Sequence, residues 1–137
     1  MAEQRLVLLG VAASDAHAVA NRLIAMHLRQ AGFEVVNLGT CTPLPEFAAA
    51  LRLHPGAEAV LIGSLNGHAH ADLRELPDLR AKGELRRPVI VGGNLAVGQA
   101  SAAEAERRLL DLGVDHVLRD AVELVPLLDS LRAKVAV

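Results

Sequence analysis

Arg5-Leu6-Val7-Leu8-Leu9-Gly10-Val11 and, six residues later, Ala18-Val19-Ala20-Asn21-Arg22-Leu23-Ile24-Ala25-Met26-His27-Leu28-Arg29-Gln30 are the stretches whose reading decides the fold. The first is a continuous apolar run of strand length with no polar alternation. The second places Val19, Leu23, Ile24 and Leu28 near one face of a helix, and Ala31-Gly32 stops it. Together they predict a strand followed by a helix.

The unit repeats along the chain. Glu34 to Leu38 reads as a strand, and Leu44 to Leu53 as a helix with Pro43 and Pro45 in its entry turn, where a missing N–H costs nothing. Ala59 to Ile62 and Pro88 to Val91 read as strands three and four, separated by a helix from Asp72 to Ala81 that Pro77 interrupts. Ser101 to Leu112 carries a capping box, with Ser101 as N-cap and Glu104 three residues on, and ends at Gly113. His116 to Leu118 and a helix from Val122 to Lys134 complete five strands alternating with five helices. Apolar strands without polar alternation imply a sheet buried on both faces. The expected fold is therefore α/β, a doubly wound flavodoxin-like (Rossmann-like) parallel five-stranded sheet, in one domain over residues 1–137.

Composition agrees and excludes several functions. With 137 residues, 52% of them apolar and 22% charged, the chain has the makings of one full core. Lys+Arg 14 against Asp+Glu 16 leaves −2, with no basic stripe, which argues against nucleic acid or an anionic membrane as partner. Phe33 and Phe47 are the two aromatics, and there is no Trp or Tyr on which single-stranded bases would stack. The longest apolar stretch, Leu6 to Ala13, falls short of the ~20 residues that span a bilayer. The start, Met1-Ala2-Glu3-Gln4-Arg5, lacks the basic region of a signal peptide, so a cytoplasmic protein is expected. Cys41 is single and has no Cys-x-x-Cys partner.

In doubly wound sheets, ligands bind beyond the carboxyl ends of the strands, beside the point where strand order reverses. After strand one comes Ser14-Asp15-Ala16-His17-Ala18-Val19-Ala20. One reading is helix entry, with Ser14 or Asp15 as the cap. The other takes Asp15 as the carboxylate that accepts the Nδ1–H of His17 and leaves Nε2 to a metal. A metal held by one protein ligand brings its other ligands along, which points to a macrocyclic cofactor instead of a bare ion. After strand three comes Gly63-Ser64-Leu65-Asn66-Gly67, and after strand four Gly92-Gly93-Asn94-Leu95-Ala96-Val97-Gly98; glycines there let a ligand approach bare backbone. His68 and His70, with Asp72 nearby, lack further ligands for a metal site, and His27, His54 and His116 read as surface positions. A phospho-receiver domain of the same architecture needs an Asp at the end of strand three, where Ile62-Gly63-Ser64 stands.

Ser14-Asp15-Ala16-His17-Ala18-Val19, Asn37-Leu38-Gly39, Ser64-Leu65 and Val91-Gly92-Gly93-Asn94 together resemble, nearly end to end, the cobalamin-binding small subunits of glutamate mutase (methylaspartate mutase S chain), of the B12-binding domain family. The resemblance implies adenosylcobalamin as cofactor and His17 as the metal ligand on cobalt, in place of the cofactor's own dimethylbenzimidazole, with Asp15 orienting it. It implies that Ser14, Ala16 and Ala18 lie against the cofactor, and that Gly63, Ser64, Leu65, Gly92, Gly93, Asn94, Leu95, Ala96 and Val97 surround the displaced nucleotide tail. It further implies an isomerase, interconverting L-glutamate and threo-3-methylaspartate, in which a separate large catalytic barrel subunit binds substrate and the small chain is inactive alone. Three positions depart from the family pattern: Ala20 for a glycine, Gly63 for a serine and Asn66 for an aromatic residue, and each is expected to weaken cofactor binding. The alternative is a stand-alone cobalamin carrier or sensor module without mutase activity.

Overall fold

The computed structural model describes residues 5–14, 17–64, 68–93 and 102–136. In chain order these form β1 (Arg5–Val11), α1 (Ala18–Gln30), β2 (Phe33–Asn37), α2 (Leu44–Leu53), β3 (Val60–Gly63), α3 (Ala69–Asp72), α4 (Leu76–Ala81), β4 (Val89–Gly92), α5 (Ala102–Leu112) and β5 (His116–Leu118). A 3-10 turn (Ala121–Glu123) then leads into α6 (Leu124–Ala136). The strands pair in parallel in the order β2-β1-β3-β4-β5, so the order reverses between β1 and β3. This is the expected doubly wound α/β fold. No helix among the described residues is long and apolar enough to cross a membrane.

Pleat alternation divides the core into two layers. Leu8, Ile62 and Val91 face α2, α4 and α5 and pack with Phe47, Leu51, Leu76 and Leu109. Val7, Leu9, Leu61 and Ile90 face the opposite way and pack with Ala25 and Leu28 of α1 and with Leu124 and Leu128 of α6. At the sheet's amino end, Arg5 ties three segments together: its Nε and Nη2 donate to Glu58 at 2.9 and 2.8 Å, and Nη2 also donates to the Leu128 carbonyl. Asp129 of α6 accepts from Arg5 Nη1, and Arg132 approaches Glu58 at 3.5 Å. The bond to Glu58, foremost, raises the Arg5 guanidinium above its already high pKa, so this clasp keeps its positive charge.

Three expectations from the sequence are corrected. The buried face of α1 is Asn21, Ala25 and Leu28, with Ile24 half-buried, whereas Val19 and Leu23 are 73% and 60% exposed. Of the four residues expected on the buried face, Leu28 and Ile24 are there, while Val19 and Leu23 belong to a second apolar stripe on the opposite side of the helix. Residues 69–81 form two short helices, because Pro77 opens the first turn of α4, where its missing N–H is harmless, and does not interrupt a longer helix. The last helix starts at Leu124, after a 3-10 turn in which Asp120 Oδ1 accepts from Val122 N at 3.0 Å. Ser101, expected as the N-cap of α5, lies outside the described residues.

Gly10 sits in mid-strand for a steric reason. A Cβ built there would lie 2.6 Å from Phe47 Cζ and 2.8 Å from its Cε1, and Phe47 is fully buried. Gly10→Ala is therefore expected to destabilise the protein by about 1–3 kcal/mol through overpacking, read as a lower urea midpoint with an unchanged slope. An unaltered midpoint would show that Phe47 relaxes without cost.

Candidate functional site

One transverse row of the sheet builds the site. Val11, Gly63, Gly92 and Leu118 stand in register across β1, β3, β4 and β5. Alternation puts this row on the same face as Leu9, Leu61 and Ile90, the face that α1 and α6 cover. Its two central members have no side chain, so the layer that fills the space between sheet and helices is missing there. The result is a cleft, open to solvent, at the carboxyl end of the strands and beside the reversal of strand order. Leu9, Leu61 and Ile90 form its apolar floor, His17, Ala20, Asn21 and Ile24 one wall, and residues 118–121 with Leu124 the other.

The strand ends are held closely. Ala12 N donates to the Gly63 carbonyl and Ser64 N to the Gly92 carbonyl, each at 2.9 Å. Gly93 follows with φ +124°, a conformation that favours glycine, and turns the chain out of β4. Gly63 and Gly92 are thus paired strand residues and not loop residues as expected; their function is the side chain they lack. At Gly63 an added Cβ would meet one neighbour, the Gly10 carbonyl oxygen at 3.9 Å, which is ordinary contact.

Two hydrogen-bonding groups in this apolar lining are orphaned. Ser64 is fully buried, and its hydroxyl has no partner among the described residues. Asn21 is 6% exposed; its Oδ1 accepts from Asn37 Nδ2 at 2.7 Å, while its own Nδ2 has no partner among them. A buried polar group left unsatisfied costs about 1–3 kcal/mol, a cost that a ligand with matching polar atoms removes.

The structure brings His17, Gly63, Ser64, Gly92 and Gly93 together around this cleft. His17 is exposed and occupies the N-cap position of α1 with φ −75° and ψ 96°, without a side-chain capping bond. Ala18 is half-buried in the first turn behind it, and Ala20 is part of the cleft wall. Ser14 does not cap α1: its Oγ donates to Asp72 Oδ2 at 2.6 Å and its N to the same oxygen at 3.3 Å, tethering the loop after β1 to α3. Asp15, Ala16, Leu65, Asn66, Asn94, Leu95, Ala96 and Val97 lie outside the described residues. His68 is the exposed N-cap of α3 and His70 lies within that helix; neither lines the cleft. Asn21 and the wall from Leu118 to Leu124 were missed. The available signal was a polar residue in the i, i+4, i+7 series Asn21, Ala25, Leu28, which reads as a solvated position until its burial is known.

The B12 binding domain family matches residues 5–128. The glutamate mutase sigma subunit of Halobacterium salinarum is 40% identical over 131 residues, covering 96% of this chain and 87% of that protein. Glutamate mutase sigma subunit 1 of Haloarcula marismortui is 41% identical over 128 residues, covering 93% and 84%. A cobalamin-binding protein from Desulfitobacterium hafniense, known from a crystal structure, superposes with a TM-score of 0.76 at 21% identity; the match covers 94% of this chain and 60% of that one, a likeness of fold. With the glycine-floored cleft in place and relatives at this identity over most of both chains, this chain belongs to the B12-binding domain family, with the glutamate mutase sigma subunits.

Proposed function

We propose that this chain is the cobalamin-binding subunit of an adenosylcobalamin-dependent glutamate mutase, a cytoplasmic enzyme in which a separate large barrel subunit binds L-glutamate or threo-3-methylaspartate. The observation that carries the reading is the cleft itself: an apolar slot floored by Gly63 and Gly92, with the orphaned Ser64 hydroxyl in its lining. That combination fits a flat, largely apolar group with a few polar atoms, such as the dimethylbenzimidazole base of a corrinoid's nucleotide tail.

In this reading His17, beside the cleft at the start of α1, would hold the cobalt, and Asp15, two residues earlier in the chain, would fix its tautomer. Ser14, Ala16, Ala18, Leu65, Asn94, Leu95, Ala96 and Val97 would complete the set of residues that hold the cofactor. Ser64 gives or takes a hydrogen bond with the tail, and Leu9, Leu61 and Ile90 keep water from its apolar faces. When bound, adenosylcobalamin supplies radical chemistry by homolysis of its cobalt–carbon bond. The chain's own part is to hold, orient and shield, so it is inactive without the large subunit.

His17→Ala is expected to abolish histidine ligation and leave the thermal midpoint unchanged, because an exposed imidazole at a helix start contributes little to the core. The visible spectrum of the variant reconstituted with hydroxocobalamin checks this; a spectrum identical to the bound wild type would remove His17 from the site. Gly63→Val places a branched side chain in the cleft where the backbone has room, and is expected to weaken retention of hydroxocobalamin in equilibrium dialysis by about tenfold or more while the protein stays folded. Undiminished retention would show that the tail seats elsewhere. Turnover to methylaspartate on mixing chain, adenosylcobalamin and large subunit tests the mutase assignment; firm cofactor retention with no turnover would favour a stand-alone carrier.

A further inference from the structure

The Asn21 side chain has a fixed polarity, and two neighbours set it. The Gly39 backbone N–H can only donate, and it donates to Asn37 Oδ1 at 3.0 Å, so the other end of the Asn37 amide is its NH₂. That NH₂ donates to Asn21 Oδ1 at 2.7 Å. Asn21 therefore has its acceptor engaged and holds its own NH₂ in reserve, buried in the cleft wall without a partner among the described residues. The positive φ of Gly39, +85°, puts its N–H in a turn immediately beyond β2, so the orientation is imposed from the backbone through two amides.

Resting on the cobalamin reading above, we infer that Asn21 is a specificity-determining donor: its NH₂ bonds an acceptor atom on the nucleotide tail, and Asn37 is the positioning residue that keeps a donor and not an acceptor facing that atom. Ser64, whose hydroxyl can donate or accept, does not discriminate in this way. Asn21 selects for a corrinoid that carries a tail acceptor and contributes nothing to one that lacks the tail.

The test measures retention of two probes by equilibrium dialysis: hydroxocobalamin, which has the nucleotide tail, and diaquocobinamide, which lacks it. Asn21→Asp keeps an oxygen to accept from Asn37 and replaces the donor by an acceptor. Its affinity for hydroxocobalamin is expected to fall about tenfold or more, with diaquocobinamide unchanged. Asn37→Ala, which leaves Asn21 intact and removes its orientation, is expected to weaken hydroxocobalamin in the same selective way, and serves if the first variant does not fold. A structural role alone would lower both probes together with the thermal midpoint. Parallel loss of both probes, or undiminished hydroxocobalamin binding by both variants, would overturn the inference. If the wild-type chain retained neither probe, the cobalamin reading itself would fall first, and this inference with it.

Discussion

A parallel sheet covered by helices on both faces has to fill every site in its two interior layers, and this fold leaves one row of one layer unfilled. Gly63 and Gly92 stand side by side in register between Val11 and Leu118, on the face toward α1 and α6. The rows beneath are filled: Leu9, Leu61 and Ile90 on this face, and on the other Ile62 and Val91, with the Phe47 ring occupying the space over Gly10. Placement of the cleft, its apolar floor and the helix walls on either side follow from that local omission. The hydrogen bonds of the row are intact, so the opening does not weaken the sheet's pairing.

Much of this was legible in the sequence because the apolar runs are dense and well separated. β1, α1, α2 and β5 have the bounds that their runs predict, since nothing competes with burial in those stretches. The strand-end glycines were legible as positions bordering a cleft, yet the membership of Gly63 in β3 and of Gly92 in β4 was not, because a glycine reads as turn chemistry and pairing is a property of two strands. The face of α1 was misread for a related reason. Val19, Leu23 and Met26 form as good a stripe as Ala25 and Leu28, and what decides between them is the bond from Asn37 that makes burial of Asn21 tolerable. Long-range polar contacts of this kind leave no periodic trace.

The tether between Ser14 and Asp72 has the same character, joining residues 58 positions apart. Local rules make Ser14 a helix cap, but α1 begins further along, with His17 at its N-cap, and the Ser14 hydroxyl donates instead to a carboxylate of α3. It connects the loop that follows β1 to the helix that follows β3, the two segments flanking the reversal of strand order. The loop that leads into α1, and so into one wall of the cleft, is therefore tied to α3 as well as to the sheet.

The Arg5 clasp bears on the opposite wall. It grips α6 at Leu128, Asp129 and Arg132 against the amino end of the sheet, while the start of the same helix, at Leu124, borders the cleft. Mechanically, α6 is a beam fixed partway along its length, with its leading turn overhanging the opening. A push on the overhang at Leu124 is resisted sideways by the apolar layer in which Leu124 and Leu128 are buried and, about one helical turn further on, by the Arg5 pivot. Stiffness of that wall thus has two sources, one of them an ion pair that does not border the cleft.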